Sequence, residues 1–167
     1  MGFELPAAMG AKVACPGDAV WCIAGDGGFQ MTIQELATIV QEKLAVKIAI
    51  MNNGYLGMVR QWQELFNESR YSSTCLMNCT EDPKNCRGDE ENCRKYIPDF
   101  VKVAEAYGAK GIRVKTPGDL DKAIQEALKH KDGPYLIDIL TEREENVWPM
   151  VPAGASLDEM LKGGMTV

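Results

Sequence analysis

The chain has 167 residues and 46% hydrophobic residues, enough for one domain with a substantial core. Its net charge of −6 and its lack of a Lys/Arg-rich run remove the electrostatic basis for binding nucleic acid or anionic membranes. The apolar stretches are too short to span a bilayer, and the N-terminus lacks the basic and apolar regions of a secretory signal. We therefore expect a cytoplasmic protein that binds neither nucleic acid nor membrane.

The predicted elements alternate between helices and short apolar strands in chain order. Periodicity and turn residues predict a helix at 5–13, a strand at 19–24, a helix at 29–43, a strand at 46–51 and a helix at 56–66. After a polar segment at 72–96 come a helix at 98–107, a strand at 111–114, a helix at 116–129 and a strand at 135–140. This alternation predicts a three-layer α/β fold, in which helices cover both faces of a mostly parallel sheet.

Two short motifs directly follow the first two predicted strands, GDGG at 25–28 and NNG at 52–54. The carboxyl ends of parallel strands meet at one edge of a sheet, so both motifs should lie at the same edge. Glycines let backbone N–H groups approach an anion, and the Asp26 carboxylate and the Asn53 amide oxygen are ligand types that suit Mg²⁺. The pair therefore indicates an anchor for a diphosphate and Mg²⁺. Either motif on its own could be only a turn.

A Gly-Asp-Gly followed, after one helix and one strand, by Asn-Asn resembles the diphosphate-binding motif of thiamine diphosphate (ThDP) enzymes. Within that superfamily, three stretches resemble the acetolactate synthase family in particular, as the C-terminal ThDP-binding domain of its large catalytic subunit. These stretches are MGFELPAAMGAKVA at 1–14, the long segment at 25–66 that contains both motifs, and ENVWPMVPAGASLDEM at 145–160. The resemblance covers nearly all of the chain except 72–96.

The resemblance implies a role for each residue of the two motifs. The side chains of Asp26 and Asn53 and the backbone carbonyl of Tyr55 would bind Mg²⁺. Gly27 and Gly28 would donate backbone N–H groups to the diphosphate. The other implied cofactor contacts are Met1, Gly25, Leu56, Gly57 and Met58.

Three large side chains receive more specific roles from the same resemblance. Met1 resembles the residue that supports ThDP in its bent conformation. Met58 and Trp62 resemble side chains at the substrate channel, where the tryptophan favours 2-ketobutyrate over pyruvate as the acceptor. The alternative for Met58 and Trp62 is an apolar helix face that packs in the core, because helical spacing alone is compatible with both.

The resemblance also implies an activity and a set of partners. The ThDP carbanion would attack pyruvate, CO₂ would leave, and the hydroxyethyl group would be joined to a second 2-oxo acid, pyruvate or 2-ketobutyrate. The products, acetolactate and acetohydroxybutyrate, lead to valine, leucine and isoleucine. The family's site forms against the pyrimidine-binding domain of another subunit, in a homodimer or tetramer. The family also carries FAD in its middle domain and often binds a regulatory small subunit.

The chain departs from this family in lacking the glutamate that activates ThDP, which belongs to an N-terminal domain. No residue within 1–167 is therefore expected to be the activating catalytic group. We expect 1–167 to be a single diphosphate-binding domain, an incomplete C-terminal fragment or one half of a split enzyme, inactive alone. The rival functions within the superfamily are a 2-oxoacid decarboxylase and a two-subunit 2-oxoacid oxidoreductase.

The second departure is the segment at 72–96, which resembles an insertion. Four cysteines crowd into it as C-x₃-C-x₆-C-x₆-C, and four thiolates can bind Zn²⁺ tetrahedrally. The spacing differs from paired C-x₂-C knuckles, so an iron–sulfur cluster, disulfides and free thiols remain alternatives. If this loop binds zinc, the chain could have a function of another class. It would then be a non-catalytic module whose Cys-rich loop binds zinc and partners. The candidate ligands are Cys75, Cys79, Cys86 and Cys93.

Overall fold

The computed structural model describes residues 1–76 and 97–163, and the backbone of two short strands between them. The elements before that interval are α1 (Glu4–Ala14), β1 (Trp21–Gly25), α2 (Asp26–Gln30), α3 (Glu35–Gln41), β2 (Lys47–Asn52) and α4 (Gly57–Phe66). The later elements are β3 (Asn78–Cys79), β4 (Cys93–Arg94), α5 (Phe100–Ala106), β5 (Lys110–Val114), α6 (Pro117–Lys129), β6 (Tyr135–Leu140) and a 3₁₀ turn at Leu157–Glu159. None of the described helices has the length and apolarity needed to cross a bilayer.

Four parallel strands form the sheet, in the order β1-β2-β6-β5. The two central strands, β2 and β6, each begin with four consecutive buried residues. Such continuous burial is typical of parallel strands that are covered on both faces. The predicted mostly parallel sheet is confirmed.

Helices cover both faces of the sheet and create two separate cores. On one face, α1, α3 and α5 contribute Leu5, Leu36 and Phe100 to a core that also contains Leu136 of β6. On the other face, α6 packs its alanines against a smaller core that contains Ile137. Leu136 and Ile137 are consecutive, so their side chains point to opposite faces of the strand. This alternation confirms the three-layer arrangement.

The predicted helix at 29–43 is wrong in its bounds, because the structure has two short helices there. The first begins at Asp26, inside the glycine motif, and ends at Gln30. Between it and α3, the backbone makes i→i+3 hydrogen bonds, including Thr32 N to Phe29 O and Leu36 N to Ile33 O. The other predicted elements are present, and their ends differ from the predicted ones by at most two residues.

The segment predicted as a Cys-rich loop is only partly described. Its backbone at 78–79 and 93–94 forms a two-stranded antiparallel ladder in which Cys79 lies opposite Cys93. Cys86 and the side chains of Cys79 and Cys93 lie outside the described residues. The zinc prediction therefore stays a prediction. Among the residues that are described, no group of three or more Cys, His, Asp or Glu could hold a metal ion.

Candidate functional site

Asp26 connects the two predicted motifs directly. It follows β1, and its side chain is only 2% exposed. One carboxylate oxygen, Oδ1, accepts a hydrogen bond from Gly27 N at 2.7 Å. The other oxygen, Oδ2, accepts from Gly54 N at 2.7 Å. Because β1 and β2 are neighbours in the sheet, their carboxyl ends lie side by side, and this carboxylate bridges the two loops.

The electrostatic environment of Asp26 fits a cation. Burial raises the pKa of the Asp26 carboxyl, and the nearby Asp138 carboxylate raises it further, while backbone N–H groups of Gly54, Gly27 and Asn53 act in the opposite direction. No Lys, Arg or His in residues 1–76 or 97–163 forms an ion pair with it. A buried carboxylate without a positive partner is costly, and Mg²⁺ prefers such hard oxygen ligands. The donor set therefore fits Mg²⁺.

Asn53 and Tyr55, the other predicted metal ligands, belong to the same loop. The Asn53 side-chain oxygen Oδ1 accepts a hydrogen bond from Tyr55 N at 3.0 Å, which is an Asx turn that fixes the loop. An amide oxygen has two lone pairs, so one remains for a cation. The structure thus brings Asp26, Asn53 and Tyr55 together, and their binding of Mg²⁺ stays a prediction.

The surface of Gly27 is covered by the apolar residues that were predicted to contact the cofactor. A Cβ atom at Gly27 would lie 2.5 Å from Leu56 Cδ2 and 3.9 Å from Met1 Cε. Leu76, which the sequence did not indicate, would be 3.4 Å away. A side chain at position 27 would therefore displace Leu56, so glycine fits this tightly packed position.

Glu4 is a second residue near the motif that sequence reasoning missed. A Cβ atom at Gly28 would lie 2.1 Å from Glu4 Oε1, so the carboxylate rests against the glycine backbone. No periodicity or spacing could have indicated this contact, because α1 and the motif are separated by β1. The contact places a negative charge next to one of the two glycines that were predicted to bind the diphosphate.

The loop that carries Asn53 is paired with the start of the Cys-rich segment. Leu56 N donates to Thr74 O at 2.8 Å, and Leu76 N donates to Gly54 O at 2.8 Å. Tyr55 and Cys75 form an antiparallel bridge between these two hydrogen bonds. The segment at 74–76 therefore holds the loop at 53–56 in place. A single bridge has no periodic signal, so the sequence could not reveal it.

Two arginines lie over the Tyr55 ring. The guanidinium of Arg60 lies 5.4 Å from the ring centroid, and that of Arg143 lies 4.8 Å from it. Arg60 is only 6% exposed, and its Nη1 forms an ion pair with Glu64 at 2.8 Å. Burial raises the pKa of the Tyr55 phenol, an effect that the Arg143 charge opposes. The segment that follows β6 and carries Arg143 therefore helps to position the Tyr55 ring.

The tail also docks on α4 through a buried amide. Gln61, which is 1% exposed, donates from Nε2 to Val147 O and accepts from Val147 N at Oε1, both at 2.9 Å. These two hydrogen bonds are arranged like those between paired strands. They connect the tail at 145–160 to α4.

Met58 and Trp62, the predicted channel residues, lie one turn apart on α4 and share a face. They are 45% and 50% exposed, so they do not pack in the core of this chain, and the core alternative is wrong. Their contact with a substrate stays a prediction.

Gly57→Ala is expected to weaken Mg²⁺-dependent ThDP binding by up to about tenfold. A Cβ at this position would lie 3.1 Å from Asn53 Nδ2, so the amide that is predicted to bind Mg²⁺ would have to shift. Titration calorimetry measures the change. Gly10→Ala is the matched control, because a Cβ added at Gly10 would have no atom within 4 Å. This change should leave the ThDP affinity unaltered. Equal affinity in both variants would argue against Asn53 as a ligand.

Comparison with known proteins gives consistent matches. Residues 1–139 match the family model of the thiamine pyrophosphate enzyme C-terminal TPP binding domain; thiamine pyrophosphate is another name for ThDP. An acetolactate synthase of Mycobacterium bovis is 49% identical over 160 residues, which is 96% of this chain and 24% of the relative. The large subunit of acetolactate synthase isozyme 2 of Escherichia coli is 44% identical over 162 residues, 97% of this chain and 26% of the relative.

One solved structure extends the comparison to the fold. The thiamine diphosphate-dependent 4-hydroxybenzoylformate decarboxylase of Rhodococcus jostii RHA1 superposes with a TM-score of 0.67 and 34% sequence identity, over 87% of this chain and 24% of that chain. The chain spans about a quarter of the length of the relatives that it matches.

Proposed function

Because the chain belongs to the thiamine pyrophosphate enzyme family, as a C-terminal TPP-binding domain, we propose that it is the diphosphate-binding part of an acetolactate synthase. The observation that carries this proposal is the buried Asp26 carboxylate, which joins the two motif loops and has no cationic partner in the described residues. The 44–49% identity to acetolactate synthases over 96–97% of the chain supports this choice within the family.

In this proposal, Asp26, the Asn53 side chain and the Tyr55 carbonyl would hold Mg²⁺, which would supply positive charge for binding the diphosphate. Gly27 and Gly28 would donate backbone N–H groups to the same diphosphate, for which the Gly27 N–H would have to leave its hydrogen bond with Asp26 Oδ1. When bound, ThDP supplies the nucleophilic carbon and the electron sink for decarboxylation of a 2-oxo acid. The task of this chain is to fix the position of that carbon and to provide part of the substrate surface.

The proposed reaction joins two 2-oxo acids. Pyruvate loses CO₂, and its remaining two-carbon unit is transferred to a second pyruvate or to 2-ketobutyrate, in the synthesis of branched-chain amino acids. Met58 and Trp62 would contact the acceptor, because they present apolar surface one and two turns into the helix that follows the cofactor loop.

The proposal also includes partners that supply what this chain does not contain. A pyrimidine-binding domain of another subunit would contribute the glutamate that activates ThDP, so the active species is a homodimer or tetramer. FAD would bind elsewhere in the longer protein, and a regulatory small subunit would bind the assembly. Residues 1–167 would be the C-terminal portion of that protein or one half of a split enzyme.

Product analysis tests the function. The reading frame that contains this chain and its upstream sequence is expressed, and the protein is incubated with pyruvate, ThDP and Mg²⁺. We expect acetolactate, and with 2-ketobutyrate also acetohydroxybutyrate. Release of acetaldehyde alone would instead indicate a decarboxylase, and reduction of an electron acceptor would indicate an oxidoreductase. Bound zinc that survives dialysis, without any ThDP binding, would favour the non-catalytic module.

A further inference from the structure

A basic cavity lies at the edge of the sheet opposite the cofactor loops. Its volume is about 330 Å³, and four lysines line it: Lys12, Lys43, Lys47 and Lys131. Lys47 is the first residue of β2, and Lys131 lies shortly before β6 begins. Because the strands are parallel, these positions mark the amino edge of the sheet. Four lysines around one cavity contrast with the net charge of −6 of the whole chain.

The positive charge of this cavity exceeds the negative charge, since Asp18 is the one acidic residue among the described lining residues. Lys12 Nζ donates to Pro16 O at 2.9 Å and to Asp18 O at 2.6 Å, and both acceptors are neutral carbonyls. Lys47 Nζ donates to the carbonyl of His130. None of the four lysines forms an ion pair with a carboxylate in residues 1–76 or 97–163. Each ammonium has three donors, so several donors are left to bind a ligand.

Lys47 is the least expected of the four, because it is only 1% exposed. A buried ammonium is costly unless it is paired and fully hydrogen-bonded. Burial lowers the pKa of Lys47 to about 8, with further contributions from the charges of Lys131 and Lys12. The other titratable groups near it are the His130 imidazole, which senses the Lys47 charge, and Asp18 in the cavity lining. An anion in the cavity would remove this cost.

We propose that this cavity is a binding site for a small phosphate-bearing molecule. A phosphate dianion offers several acceptor oxygens in a tetrahedral arrangement, and it can accept hydrogen bonds from ammonium groups that approach from α1, β2 and the two neighbouring loops. Lysine binds phosphate as a flexible point charge. A volume of about 330 Å³ is at the lower end of the range for ligand pockets, enough for a phosphate with a small organic group. The site is separate from the diphosphate loops and does not depend on the proposed function.

The test uses inorganic phosphate as the probe and titration calorimetry of the chain at pH 7. Lys43→Gln and Lys131→Gln remove charge from exposed positions, so both variants should fold normally. Each is expected to weaken phosphate binding about tenfold, the effect of one lost charged hydrogen bond. Lys122→Gln, on the exposed face of α6, is the matched control and should bind phosphate as the unmodified chain does.

Two further outcomes decide whether the site is where we place it. ThDP with Mg²⁺, added in excess during the phosphate titration, should leave phosphate binding unchanged; competition between them would overturn the proposal, because the phosphate would then occupy the loops at 25–28 and 52–54. Binding at pH 8 should take up protons, since an anion raises the pKa of Lys47, and affinity should fall as the pH rises through 8. Absence of binding up to about 10 mM phosphate, or equal affinity in all lysine variants, would also overturn it.

Discussion

Asp26→Ala is expected to abolish the Mg²⁺-dependent binding of ThDP to the complete enzyme. The variant removes the one carboxylate that the structure buries between the two motif loops, and diphosphate would lose the cation that bridges it to the protein. Loss of a residue that merely supports a metal ligand lowers metal affinity by about 10- to 100-fold, so loss of the ligand itself should exceed about 100-fold. Titration calorimetry with ThDP, with and without Mg²⁺, measures the effect.

The Asp26 side chain also accepts two backbone hydrogen bonds, so its removal could disturb the loops without any role for charge. Asp26→Asn separates these effects, because it keeps the shape and one acceptor but removes the charge. We expect Asp26→Asn to lose the Mg²⁺ dependence as completely as the alanine variant does. Asp121→Ala, at an exposed position of α6, should bind ThDP normally. Unchanged ThDP affinity in Asp26→Asn would remove Asp26 from the metal site.

The sequence predicted the sheet and the place of the site because both depend on local patterns. The strand at 135–140 was predicted with the bounds that the structure has, since a short, mostly apolar run that follows a turn is easily recognised. The positions of Asp26 and Asn53 at one edge followed from the rule for parallel strands. The start of α2 at Asp26 was missed, because glycines usually argue against a helix.

Contacts between distant segments could not be predicted in the same way. The bridge between Tyr55 and Cys75, the carboxylate of Glu4 at Gly28 and the cavity with four lysines each join parts of the chain that no repeat or spacing relates. Lys47 shows most clearly what sequence patterns cannot predict. In the sequence it is one lysine at the start of an apolar strand, and only the fold buries it among other lysines.

A buried polar network beneath the cofactor loops is another such long-range arrangement. Asp138 of β6 is fully buried. Its Oδ1 accepts from Asn52 Nδ2 at 2.9 Å, and its Oδ2 accepts from Arg113 Nε at 2.8 Å. Arg113 Nη2 in turn donates to Asp99 Oδ1 at 3.0 Å. The network connects β2, β6 and β5, and it fixes the residue that directly precedes Asn53.

Asp138→Ala is expected to lower the free energy of unfolding of the chain by about 2–3 kcal/mol, because a buried carboxylate that accepts two side-chain hydrogen bonds is removed, while Arg113 keeps Asp99 as an ion-pair partner. The Asn52 amide and Arg113 Nε would each lose their acceptor, whereas Arg113 Nη2 would still donate to Asp99. Urea denaturation measures the change as a lower midpoint at unchanged slope. Asp121→Ala is the matched control, because exposed substitutions usually change stability by less than about 0.5 kcal/mol.

A second substitution shows whether the unpaired charge causes this loss. Arg113→Met in the Asp138→Ala background removes the guanidinium that the first change leaves without its buried partner, so the double variant should be more stable than Asp138→Ala alone. If the two losses simply add, Asp138 and Arg113 do not act as a pair, and the network does not hold the strands together. If the stability returns while ThDP binding does not, the remaining defect lies with Asn52. Its side-chain amide would have no acceptor in either variant, and its neighbour Asn53 would no longer be held in position for the metal.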